Sequence, residues 1–313
     1  MIFAKLPLYL LYTLVFPGFL FTAMVGLFLT WVDRKVTAVV QSRIGPPWYQ
    51  PFADMGKLMG KRMLIPKGSR RIGFLAAPLI AVAGSTLAAV IVLNALISQQ
   101  SSFLGDVIVL VYLTAIPPIA LIIGGSASRS PFGAIGAGRE MSMVLAYELS
   151  FLLSIVTVLI NVGSIRISDI VTYQILHEPI AFTLSGFIAF IVALFCTQAK
   201  LGYLPFDISE AETEIIGGPL AEYSGIGLAL FKLSRAMMFL YLPVFLVVMF
   251  LGATQNSVLG WLVFSIKLLA ILVLIILVKS THARLRLDQA LHLFWGKLAL
   301  LALVGIGFSL IGW

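Results

Sequence analysis

Five carboxylates fall within sixteen residues, at Asp207, Glu210, Glu212, Glu214 and Glu222. Carboxylates packed that closely repel one another and can share protons near neutral pH. A helix over 207–214 would set Asp207, Glu210 and Glu214 on one face and turn Glu212 away. A solvated acidic loop would have the same composition. Other charges sit inside apolar runs: Glu140 and Glu148 two helical turns apart, Lys232 and Arg235 one turn apart, and Lys267 alone. Ionisable groups at such places are costly unless they meet a partner or water, so they mark a functional site. Lys232 or Arg235 paired with Glu148 would satisfy both partners. A structural ion pair that fixes helix register is the alternative. Arg235 keeps its proton, which leaves Lys232, Lys267 and the glutamates to relay one.

The elements that must position these groups are membrane helices. Hydrophobic residues make up 60% of the 313 and charged residues 11%, with a mean hydropathy of +1.07. Soluble domains run nearer half apolar and a quarter charged. Eight windows reach the roughly 20 apolar residues that cross a bilayer: about 9–31, 72–97, 103–127, 140–161, 180–199, 223–250, 260–278 and 295–312. The expectation is an all-α polytopic protein, residues 1–313 forming a single membrane domain. The opening apolar run lacks a small-residue cleavage site and reads as the first span. Loops 32–71, 128–139, 200–222 and 279–294 hold fifteen Lys and Arg, against Lys5 and Arg166 on the other side. That asymmetry predicts a cell-membrane protein with these loops in the cytoplasm and both termini outside. Between Gln50 and Leu64, Phe52, Met55, Met59 and Met63 form one stripe opposite Asp54, Lys57 and Lys61. This predicts one amphipathic helix that lies in the interface or roofs a cavity.

Several chemistries lack the residues they need. Cys196 is the one cysteine, and His177, His282 and His292 lie in loops or at helix ends apart from any cluster of carboxylates or cysteines, which argues against a metal site. There is no phosphate-binding loop and no dinucleotide fingerprint. Gly124, Gly125, Gly133, Gly136 and Gly138 are expected to break a helix end. The net charge of +8 lies beside apolar spans, which fits lipid headgroups and excludes a nucleic-acid partner.

Three segments together carry a family resemblance. They are Asp33-Arg-Lys35 with Gln41, Gly45-Pro46, Gln50-Pro51 and Ala53-Asp54; Gly124 to Met141, running into Glu148; and Pro205-Phe-Asp207 with Glu210 to Glu214 and Ala221 to Gly225. The chain resembles the H subunit of respiratory complex I and its homologues in membrane-bound nickel–iron hydrogenases and the related sulfane sulfur reductase. The likeness covers essentially the whole chain.

The resemblance implies a non-catalytic subunit of an oxidoreductase complex, an obligate hetero-oligomer with no cofactor of its own. Iron–sulfur clusters, and a nickel–iron centre in the hydrogenase branch, would sit in partner subunits. It would join a peripheral redox arm to antiporter-like membrane subunits that move H+ or Na+. Arg34, Asp54, Asp207, Glu210, Glu212, Glu214 and Glu222 would line the cavity or the interface with the arm, along with Lys35, Arg43, Lys57, Arg129 and Arg139. Glu140 and Glu148, with Lys232, Arg235 and Lys267, would continue the charged path into the membrane. Only Pro47-Trp-Tyr49 separate Gly45-Pro46 from Gln50-Pro51, fewer than in quinone-reducing forms. The segment Ser128 to Met141 is also closer to the ferredoxin-dependent branch. A quinone-binding complex I subunit is the first alternative. A stand-alone transporter is the second, although the paired broken helices it would show are not seen.

Overall fold

The computed structural model describes residues 10–97, 102–252 and 257–312; Lys5 and the side chain of Glu212 lie outside the described residues. Among the described residues every regular element is helical. The elements are α1 Phe19–Val40, α2 Gln50–Gly60, α3 Arg71–Ile97, α4 Asp106–Ala127, α5 Pro131–Val162, α6 Ile167–Leu176 and α7 Leu184–Lys200. There follow the single turn α8 Glu212–Ile215, then α9 Gly225–Leu251, α10 Val258–Thr281 and α11 Leu287–Ile311. Seven of the described helices are long and apolar enough to cross a membrane, and α7 is a shorter apolar helix. Helices satisfy their own backbone groups where no water can, so an apolar chain of this length folds this way. The chain is an all-α polytopic membrane protein.

Of the boundaries that depart from the hydropathy windows, two bear on the site. α1 runs on to Val40 and carries Asp33, Arg34 and Lys35 on its last turns, where a loop was expected. α5 starts at Pro131, so the expected loop 128–139 shrinks to a short turn and Arg139 and Glu140 are helical. Hydropathy stops where charges begin, whereas backbone hydrogen bonding continues. The glycines around these boundaries therefore break nothing: Gly124 and Gly125 lie within α4, and Gly133, Gly136 and Gly138 within α5.

The chain forms two compact units. The first comprises Met1–Val90, Leu113–Met141 and Asp207–Tyr241. In it Ala23 and Leu27 of α1, Met55 of α2, and Ala229, Leu233, Ala236 and Met237 of α9 make one buried cluster. Phe52 and Leu58 pack against it. Thus α2 is docked through its apolar stripe, although Met59 of that stripe is exposed. Pro51 lies in its first turn, where a missing N–H costs nothing. A second cluster joins Phe74, Ala77 and Ala81 of α3, Ala120 and Leu121 of α4, and Phe231 to Tyr223. The Tyr223 ring stacks on Phe74 at 4.1 Å, and its hydroxyl donates to the Phe74 carbonyl at 2.9 Å.

The acidic segment is held in this unit by shape. Pro219 sits in a notch made by two glycines. A Cβ on Gly125 of α4 would come 2.9 Å from the Pro219 ring, and one on Gly136 of α5 would come 2.5 Å from it. Helix packing in lipid relies on such close approach, because there is no hydrophobic driving force between helices.

The second unit comprises Ile91–Tyr112, Ser142–Phe206 and Leu242–Trp313. Its core includes Tyr147 and Phe151 of α5, Phe206, and Phe294 of α11, whose carbonyl accepts from Ser150 at 2.7 Å. Gln198 donates to the Leu204 and Ile275 carbonyls at 2.7 and 3.3 Å. The last turn of α9 widens to a π-turn over Val247–Leu251. Gln174 donates to the Val248 and Met249 carbonyls there, at 2.9 and 3.3 Å.

Gly136→Val tests the Pro219 notch. The added side chain should cost about 1–3 kcal/mol and expose residues 207–222 to protease. Gly138→Ala, where a Cβ meets no atom within 4 Å, should do neither. Limited proteolysis of the two variants in detergent reads the difference.

Candidate functional site

The acidic loop lacks the helix considered for 207–214. Residues 207–211 are irregular and only Glu212–Ile215 make a helical turn, so Asp207, Glu210 and Glu214 do not share a helix face. Guanidinium groups from two spans hold the loop instead. Arg235 of α9 grips Glu210 with both terminal nitrogens, Nη1 donating to Oε2 at 2.7 Å and Nη2 donating to Oε1. Such a two-pronged pair is among the stronger contacts that charged side chains make. Arg139 of α5 meets Glu214 at 2.5 Å. The next residue, Glu140, is 8% exposed. Ser209 hydrogen-bonds its carboxyl, and the charges of Glu210, Arg235 and Asp207 act on it.

In the first unit, then, four carboxyls (Glu140, Asp207, Glu210 and Glu214) gather around two guanidinium groups. The arginines are permanently charged, so any change in the cluster's charge is a protonation of its carboxyls. Glu222 is half-buried in the turn leading into α9. Lys232 is exposed, with no carboxylate within 4 Å among the described residues.

Glu148 is paired differently from what the sequence suggested, and within the second unit. Its partner is neither Lys232 nor Arg235 but Lys200, the last residue of α7, whose Nζ lies 2.5 Å from the Glu148 carboxylate. The Lys200 side chain is fully buried and that of Glu148 is 21% exposed. The ammonium also lies 4.5 Å from the centre of the Phe151 ring and 5.2 Å from that of Tyr147, within cation–π range.

Sequence reading missed Lys200, which it counted among loop cations. Its distance from Cys196, one helical turn, was the available signal: a helix continued by that turn puts both on the buried face. Ser209 was missed as well. Lys267 has no carboxylate within 4 Å among the described residues. It donates to the Leu251 and Gly252 carbonyls at 2.5 and 3.3 Å and so caps the end of α9.

The first-loop residues divide. Arg34 donates to Asp54 at 2.8 Å and Gln50 to the other carboxylate oxygen at 3.0 Å, which ties α1 to α2. The Arg34 hydrogen bond, against the opposing effect of burial, holds the Asp54 carboxyl below its ordinary range. Lys35, Arg43, Lys57 and Arg129 are exposed. Among the described residues no three His, Cys, Asp or Glu side chains come together as a metal site.

Fold and charge distribution define a polytopic helical membrane protein with ion pairs built into its spans. The comparisons with known proteins agree. The family model described as NADH dehydrogenase matches residues 13–310, and the chain belongs to that family, as a membrane subunit like the H subunit of complex I. It is 33% identical over 301 residues to the H subunit of the NADH-quinone oxidoreductase of Carboxydothermus hydrogenoformans, covering 91% of this chain and 85% of that protein. To the same subunit of Rhodospirillum centenum it is 34% identical over 287 residues, covering 86% and 83%. A solved structure of the membrane-bound sulfane sulfur reductase, an archaeal respiratory membrane complex, contains a chain that superposes with a TM-score of 0.84. That chain is 28% identical, with 93% of this chain and 96% of that one covered.

Two measurements probe the pairs. Lys200→Met leaves Glu148 without its countercharge and should destabilise by roughly 3 kcal/mol, whereas adding Glu148→Gln should recover most of that loss. Chemical unfolding of the two variants in detergent checks this. Because the native pKa of Asp54 lies below its ordinary 3.8, its ionised form favours the fold at neutral pH. That contribution fades as pH falls below about 4. The stability gap between the wild-type protein and Asp54→Asn should therefore be constant near pH 7 and close in acid.

Proposed function

We propose that the chain is the membrane anchor and coupling subunit of a complex-I-related, ferredoxin-oxidising complex. It joins a peripheral redox arm, which holds the iron–sulfur clusters, to antiporter-like subunits that move H+ or Na+. The observation that carries this reading is the carboxyl-rich cluster around Arg139 and Arg235. An acidic loop solvated for its own sake would not be clamped by two spans. The fifteen-to-two distribution of Lys and Arg supports a cytoplasmic position for this loop and outward-facing termini.

Mechanistically, a charge change in the partner arm near residues 207–214 redistributes protons among Asp207, Glu210, Glu214 and Glu140. α5 carries both Glu140 and Glu148, so the Glu148–Lys200 pair responds, and neighbouring subunits follow. This chain binds no cofactor in the scheme; it holds and repositions protons.

Within that role, the likeness to the sulfane sulfur reductase supports an arm that reduces sulfur species or protons. The short Pro47–Tyr49 spacer supports a route without quinone. Quinone reduction is the second reading, and the names of the quinone oxidoreductase relatives favour it.

In the purified complex reconstituted in vesicles, Glu148→Gln should leave ferredoxin oxidation near the wild-type rate and abolish ion uptake. Normal pumping in that variant would sink the proposal. Sulfide production, hydrogen evolution, or sensitivity to quinone-site inhibitors separates the three kinds of arm.

A further inference from the structure

Where α3 begins and α4 ends, the first unit carries an open groove of about 740 Å³. Arg70, Arg71 and Ser126 form its polar edge, and Ile72, Ile122 and Ile123 its walls. Ile72 is 87% and Ile123 41% exposed. Neither arginine has a carboxylate within 4 Å among the described residues. The groove is firmly built: the Arg70 N–H donates to the Ala127 carbonyl at 2.9 Å, and Gly73 lets Ala127 approach closely. Both helices are long enough to cross a membrane, and exposed apolar side chains, Leu75 and Leu79 on α3 and Ile119 on α4, continue along them.

A free anion would use the arginines and leave the furrow empty. An acidic peptide would gain nothing from an apolar stripe running on along two spans. An anionic phospholipid uses both. Guanidinium forks match phosphate oxygens, and interfacial cations each add to the attraction for an acidic headgroup. We propose that this groove binds one anionic phospholipid, with its phosphate on Arg70 and Arg71 and an acyl chain along Ile123 and Ile119. The site is separate from the acidic cluster and does not depend on the functional reading above.

The test uses the intact complex in nanodiscs of phosphatidylcholine titrated with phosphatidylglycerol, with bound lipid counted by native mass spectrometry. Arg70→Gln with Arg71→Gln should weaken retention of phosphatidylglycerol roughly 30-fold, from the combined attraction of two interfacial cations. Lys67→Gln removes a neighbouring cation outside the groove and should change retention little. Equal loss in both variants would reduce the effect to general surface charge and overturn the proposal, as would no loss in the arginine variant. Displacement of the lipid by equimolar soluble glycerophosphoglycerol would point to a free phosphate site and also overturn it. A photo-crosslinker replacing Ile72 should capture lipid; capture of a protein subunit instead would assign the groove to an interface.

Discussion

A charge carried on a bilayer-spanning helix must be met by an opposite charge or by water, and the arrangement of this chain follows from that constraint. The ion pairs meet it in two chemically distinct ways, whereas Lys267 is met by backbone carbonyls. Arg235 and Arg139 hold carboxylates of the segment between α7 and α9, so each pair joins a span to that segment. Lys200 and Glu148 both stand on helices, with the ammonium over aromatic rings. Guanidinium charge is permanent, whereas an ammonium on a flexible stem can give up a proton. The first kind of pair can change only through its carboxylate; the second can change through either partner.

Shape supports charge. The loop could not bring Glu210 and Glu214 to the two arginines unless its backbone lay close to α4 and α5. The seat of Pro219 against Gly125 and Gly136 provides that closeness. Tyr223 secures the far end of the same loop through its stack and hydrogen bond to Phe74. Neither contact involves a charged residue, yet both decide which charges meet.

The all-α class, the apolar helices and the amphipathic helix after α1 were legible in the sequence, because each depends on a periodic or summed property. So was the acidic loop, as a cluster. The partners within it were not. Glu148 meeting Lys200 rather than Lys232 or Arg235 depends on how α5 and α7 are rotated about their axes, and a hydropathy sum contains no rotation. The glycines of α4 and α5 were misread for a related reason. Glycine weakens an isolated helix, but between packed helices its missing side chain makes room for a neighbour.

The length of α5 has a consequence for the depth at which its two glutamates stand. Thirty-two residues make a helix about 48 Å long, whereas the hydrocarbon layer is about 30 Å thick. Set upright with its C-terminal end at one boundary, α5 leaves about 18 Å outside the other. Glu140, about 14 Å from the first residue, then stands at the level of the headgroups, and Glu148, about 26 Å along, at the level of the hydrocarbon. One helix thus carries two carboxyls at different levels: Glu140, held by Ser209, at the level of the headgroups, and Glu148, paired with Lys200, at the level of the hydrocarbon. On that placement the edge of the hydrocarbon layer falls between residues 140 and 148.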